Sequence, residues 1–405
     1  MEYQLIDADE HYYEPDDCFS RHIEARYKRE TIRVERGDDG LGRIYLGDRR
    51  TFMSVMPGDY ASAPGALQGL FVGGVADGFT HREVVNAKDH PEFASKTARL
   101  ALMDAQGVEA AILLPTLGVA VEYDMRGNTG LLYASLRAFN RWLEEDWGYG
   151  SDGRIFAVPM LSLVDLGEAM KELHRVIDAG ARMVHLAPGP VAGGAAGTGR
   201  SPADPVFDPF WATAAEAGIP VAFHVSNSGY NHFYGPLWSE KPDNPSHAQT
   251  PLQWALCNTE RPLVDTMIAL TLHNLFGRHP DIKIVSIENG SNWLKPLFKT
   301  VDKAAALGRR GDSIGGKLPA KPSEALAEHL WICPFPEDNV DELIDALGPD
   351  HVLFGSDWPH PEGLREPLDY VVQLAHRDAT VTRKVLRGNT ARLLGITDNQ
   401  PSLAG

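Results

Sequence analysis

Short apolar runs rich in β-branched residues alternate with longer stretches of helical period along the whole chain. Strands are expected at Tyr3–Ala8, Glu109–Pro115, Arg154–Met160, Arg182–Leu186, Pro220–Val225, Lys283–Ile287, Leu330–Cys333 and Val352–Gly355. Helices are expected at Lys96–Gln106, Leu131–Trp147, Leu166–Ala179, Pro209–Ala217, Leu263–Gly277, Asn292–Ala306, Asn339–Ala346 and Thr382–Leu394. Gly107, Gly180 and Gly218 stand where left-handed C-terminal caps would close three of these helices. Strands alternating with helices imply a parallel sheet covered by helices, and eight such units favour a closed α/β barrel over an open sheet. No GxGxxG follows the first strand, so nothing supports a dinucleotide fold.

One segment breaks the alternation. Residues 31–36 and 43–47 alternate like two strands around the glycine- and aspartate-rich residues 37–42. This reads as a β-hairpin insertion after the first strand, about residues 29–80 with its trailing Gly- and Pro-rich loop. A second long loop is expected over about residues 226–262. The reading is one domain over residues 1–395 with a loose tail at 396–405.

Composition narrows the function. The 43% hydrophobic content suits a large core, and a net charge of −17 argues against nucleic acid, whose phosphates need a basic face. Cys18, Cys257 and Cys333 show no metal-binding spacing and are expected as reduced, buried thiols. No apolar run is long enough to span a bilayer and no signal-peptide pattern opens the chain, so a cytoplasmic protein with no membrane partner is expected.

Ligand-type residues crowd the C-terminal ends of the expected strands, the edge where barrel enzymes do chemistry. The first strand ends in Asp9-Glu10-His11, and a two-residue spacing puts Asp9 and His11 on one face, with Asp7 deeper on the same face. His185, His224, Glu288 and Asp357 end the fourth, fifth, sixth and eighth strands. Three carboxylates buried at one mouth are costly without a cation. The six are therefore read as a metal site: Asp9, His11 and Asp357 for a first ion, with His185, His224 and Glu288 completing it or holding a second. His360 and Asn289, with Tyr230 and His232 on the long loop, are candidates for the substrate pocket.

The residues Asp7–His11, Met103–Glu109, Ala217–His224, His279–Val285, Gly355–Gly363 and Arg387–Gly395 together resemble the amidohydrolase superfamily, in particular its amidohydrolase-2 branch of metal-dependent hydrolases and aromatic decarboxylases. The resemblance implies a distorted (β/α)8 TIM barrel and one or two divalent transition metals. It matches Asp9 and His11 to the first-strand ligands, His224 to the fifth-strand ligand and Asp357 to the eighth-strand ligand that also handles protons. Glu288 stands where the decarboxylases place a catalytic histidine. It also implies a homodimer. The mixed carboxylate and imidazole set suits iron or manganese, with zinc as the third choice. Such a site lowers the pKa of a bound water to about 7, with Asp357, Glu288 and His224 as catalytic groups. The expected reaction is hydrolysis of an amide, ester, thiocarboxylate or similar carboxyl derivative. The rivals are non-oxidative decarboxylation, a dinuclear iron or manganese oxygenase, and a non-catalytic partner subunit.

Overall fold

The computed structural model describes residues 4–38, 42–51, 53, 60–73, 82–193, 198–242, 244, 246–308 and 313–397. Its parallel strands follow the chain in order around a distorted α/β barrel. Leu5–Tyr12, Val108–Pro115 and Ile155–Ala157 form one sheet, and Met160–Leu161, Val184–Leu186, Val221–His224, Ile284–Ile287 and Leu330–Cys333 form a second. Bonds from Val158 N to Leu113 O and from His185 N to Pro159 O, both 3.0 Å, carry the third strand from one sheet to the other.

The barrel is not closed by a continuous ladder. The expected strand at residues 352–355 is bonded to Ile332 on one side and to Ala8 on the other, with a single isolated bridge between Ile332 and Val352. Asp7 explains part of this: its Oδ1 accepts from Ser356 N and Asp9 N, both at 3.0 Å, so a side chain takes the place of a ladder carbonyl.

The first strand also carries a bulge. Asp7 pairs with Ala111 but Glu10 with Leu113, three steps against two. Such a slip reverses which face each later side chain takes. Ile6 and Ala8 point into the barrel with Ala110, Ile112, Ala222 and Val285. Beyond the bulge Asp9 and His11 point inward, while Tyr12 joins the outer core. The expectation that Asp7 shares the face of Asp9 is thus corrected, because unbroken alternation does not pass a bulge.

The outer core lies between strands and helices. In Leu166–Asp178 the residues Ala169, Leu173 and Val176 fall on one buried stripe, and Asp165 caps the helix by accepting from Glu168 N. Gly107, Gly180 and Gly218 all have positive φ, as expected of caps. The hairpin forms from Ile32–Arg36 and Gly42–Leu46 in antiparallel register. Of its trailing loop, Tyr60–Ser62 pairs with Val84–Asn86 and Gln68–Gly73 is helical, while residues 54–59 and 74–81 lie outside the described residues, as does most of the expected tail. The second long loop is instead a run of short helices, including Tyr230–Phe233, Gly235–Trp238 and Pro251–Cys257. Pro251 at the first turn and a Thr250 cap start the last of these, a local signal that periodicity over so few residues does not show. All three cysteines are free and buried. Among the described residues no helix is long and apolar enough to cross a membrane.

Glu10 faces away from the barrel axis onto Arg99. This guanidinium is fully buried, bonding Glu10 Oε2 at 2.8 Å, His11 O at 2.6 Å and Glu92 O at 3.0 Å, and it stacks 4.2 Å over the Trp358 ring. Replacing it by Met strands a buried carboxylate, so Arg99→Met is expected to cost roughly 3–5 kcal/mol in a urea melt. Adding Glu10→Gln should recover part of that loss, and a double variant no more stable than the single one contradicts this account.

Candidate metal centre

Each of the converging side chains reaches the barrel axis by a specific backbone device. The bulge turns Asp9 and His11 inward. His224 ends its strand on the inner face, and its Nδ1 donates to Val225 O at 2.8 Å, which leaves Nε2 for the centre. Glu288 and Asp357 lie just past strand ends at φ +53° and +57°. A left-handed backbone is unfavourable for side chains other than glycine, by about 1–2 kcal/mol. Here it swings two carboxylates onto the axis. Gly355 admits the last segment, since a Cβ there would lie 2.5 Å from Asp9 Cβ and closer still to Cys333 Sγ.

Two overlapping quartets result, Asp9, His11, His224 and Glu288, and then His11, Glu288, Asp357 and His360, with ligand atoms within 4.8 Å of one another in each. His11 Nε2 is the hub, 3.3 Å from Asp9 Oδ1, 3.3 Å from Glu288 Oε2, 3.5 Å from Asp357 Oδ1 and 3.3 Å from His224 Nε2. Glu288 Oε2 also lies 2.7 Å from His224 Nε2. Yet Asp9 Oδ1 and Glu288 Oε2 are buried without a hydrogen bond of acceptable geometry. Orphaned carboxylate oxygens aimed at a common point with imidazole nitrogens are what a cation site presents, so the residues fit a divalent ion.

The electrostatics agree. Burial disfavours charge on His11, but Asp9 and Glu288 overcome it and push its pKa up to about 10. Burial would raise Glu288, but His224 and His11 hold its carboxyl well below the ordinary range. Asp357 goes the other way, held well above the usual carboxylate value by burial and then by Glu288.

A short chain of hydrogen bonds leads out from Asp357. Thr116 Oγ1 donates to Tyr12 O at 2.8 Å, so its lone pair accepts from His360 Nε2 at 3.0 Å, and His360 Nδ1 faces Asp357 Oδ1 at 2.7 Å. Burial, and then His11, keep His360 well below the usual imidazole value.

Other expected residues lie apart from the quartets. His185 is buried beside His224, ring centres 6.5 Å apart, with Nε2 3.3 Å from Ser226 Oγ. The Asn289 amide donates to Phe223 O and Ile287 O, tying two strand ends together. Tyr230 OH donates to Asp265, and His232 stacks on Tyr123 near Asp124. Sequence reasoning missed Thr116 and Glu362. The Glu362 carboxyl is raised to about 7 by burial and then by Glu288, and its only sequence signal was its place in the Gly355–Gly363 motif.

The amidohydrolase family profile matches residues 55–396. The chain belongs to the amidohydrolase family. That match begins beyond Asp9 and His11, so the hub comes from outside it. An amidohydrolase from Mycobacterium avium subsp. paratuberculosis K-10 is 38% identical, covers 98% of this chain and 100% of its own, and superposes with a TM-score of 0.88. More distant structures share the barrel. A 2,6-dihydroxybenzoate decarboxylase from Rhizobium is 18% identical over 97% of this chain and 99% of its own, with a TM-score of 0.60. A dihydroxybenzoic acid decarboxylase from Polaromonas, solved with manganese and 2-nitroresorcinol, is 17% identical over 100% of both chains, with a TM-score of 0.58. No curated protein matches the sequence.

Because Thr116 bonds His360, which in turn faces Asp357, Thr116→Val should lower turnover of the manganese-loaded protein about 10- to 100-fold, the usual cost of losing a group that orients a functional side chain, with manganese affinity by calorimetric titration unchanged. Full turnover rejects the link.

Proposed function

We propose that residues 1–395 act as one metal-dependent hydrolase domain that attacks an amide, ester, thiocarboxylate or similar carboxyl derivative with water. The observation that carries the reading is the convergence of Asp9, His11, His224 and Glu288 on one point with two carboxylate oxygens left orphaned. These four would hold the ion, with iron or manganese preferred to zinc on ligand type. The two quartets share His11 and Glu288, and because the single lone pair of His11 Nε2 serves one ion, the arrangement favours one ion over two. When bound, the ion supplies Lewis acidity and acidifies a coordinated water.

The remaining work falls to the chain's own groups. Asp357 Oδ1 lies at the edge of the cluster, where it can take the proton of the attacking water and return it to the leaving group. His360, braced by Thr116, holds that carboxyl in one orientation. Burial of Asp9, His11, His224 and Asp357 keeps bulk water from screening these charges.

A second reading, loss of carbon dioxide from an aromatic acid, draws support from structural relatives solved as decarboxylases. The two differ in products. Manganese-loaded protein should cleave members of an ester and amide panel without releasing carbon dioxide, whereas carbon dioxide from hydroxybenzoates with no hydrolysis would overturn the hydrolase reading. Asp357→Asn should lower turnover by about 10²- to 10⁴-fold, the usual share of a general acid-base group, while still binding manganese. Full activity in that variant removes Asp357 from the mechanism.

A further inference from the structure

A cleft separate from the metal cluster opens beside the ends of the third, fourth and fifth strands. None of the residues of the two quartets lines it. Leu163, Val164, Leu186 and Phe223 form apolar walls, and Arg126 and Glu122 add a guanidinium and a carboxyl to the lining. The cleft is open to solvent at its mouth. Leu186 and Phe223 belong to the outer core, as alternation demands of the neighbours of inward-facing His185 and His224.

Arg126 is the distinctive group. Its guanidinium stacks 3.9 Å over the Tyr123 ring and Nη1 donates to Tyr123 O at 2.8 Å, so it is held in place by its own turn. Its Nε is buried with no hydrogen-bond partner. Among the described residues no carboxylate pairs with it. Burial raises the carboxyl of Glu122, which lines the same cleft, to about 7. A positioned guanidinium with an unused donor beside apolar walls matches a carboxylate carried on an apolar body.

We propose that this cleft is a second ligand site that binds a small aromatic or aliphatic carboxylate, with the acid group on Arg126 and the apolar body against Leu163, Leu186 and Phe223. The inference does not depend on the reaction at the metal centre. Benzoate titrated into the manganese-loaded protein is the probe, with benzamide as its neutral counterpart. Saturable benzoate binding should weaken at least about tenfold in Arg126→Gln, corresponding to loss of roughly 1.4 kcal/mol, and less in Arg126→Lys, which keeps the charge but not the fork. Asp9→Asn, which alters the cluster and not the cleft, should bind benzoate as the parent does. The proposal is overturned if benzamide binds as tightly as benzoate, if Arg126→Gln keeps full affinity, or if Asp9→Asn is the variant that loses binding. Thermal melts of the variants separate lost binding from lost folding.

Discussion

Three carboxylates surround one imidazole nitrogen at the centre of this barrel, and much of the surrounding structure follows from the need to offset that charge. Asp9, Glu288 and Asp357 all approach His11 Nε2 to within 3.5 Å or less in a region nearly closed to water. In low dielectric such a cluster is tolerable only with a compensating cation, a proton, or both. The titration of the groups reflects that crowding: against burial, Asp9 and Glu288 push His11 up to about 10, while burial and then Glu288 raise Asp357. A divalent ion held by these groups would offset the same charge.

Backbone irregularity serves the same end. A regular eight-stranded ladder would alternate side chains in and out and would not bring these groups to one height. The bulge before Glu10, the left-handed residues Glu288 and Asp357, and the unladdered residues 352–358 each depart from regularity where a ligand-type side chain must turn inward. The strain is carried by a well-packed surround. Arg99 ties the carbonyl of His11 to Glu10 and to the Trp358 face, so the two segments bearing Asp9, His11 and Asp357 share one buried anchor. Asp7 plays a similar part, bridging Asp9 and Ser356 through backbone amides.

The family link and the site reinforce each other without saying the same thing. The family profile covers residues 55–396, while the hub at Asp9 and His11 comes from the strand before it. The candidate metal centre thus draws on segments far apart in the chain, which are tied together beside it by the bond from Ser356 N to Asp7 Oδ1 across 349 residues. Segments after the second to fifth strands build a different environment, with a guanidinium and apolar walls in place of converging carboxylates.

Much of this was legible in the chain alone. Hydrophobic period placed seven of the strands and most of the helices, because burial of an apolar face dictates period wherever an element packs on a core. Strand-end position singled out Asp9, His11, His224, Glu288 and Asp357, because a parallel barrel brings all its C-terminal edges to one mouth. Tertiary structure decided the rest. Alternation cannot register the bulge that turns Asp7 away from Asp9, since a bulge arises from pairing with a neighbouring strand. Nor does it reveal that His360 joins the second quartet while His185 stands apart beside Ser226. Those differences rest on distances between residues remote in sequence, and on the φ angles by which two carboxylates leave their strands. The pair first read as a face of one strand, Asp9 and His11, owes its shared direction to two residues of spacing, and its inward aim to the bulge before it.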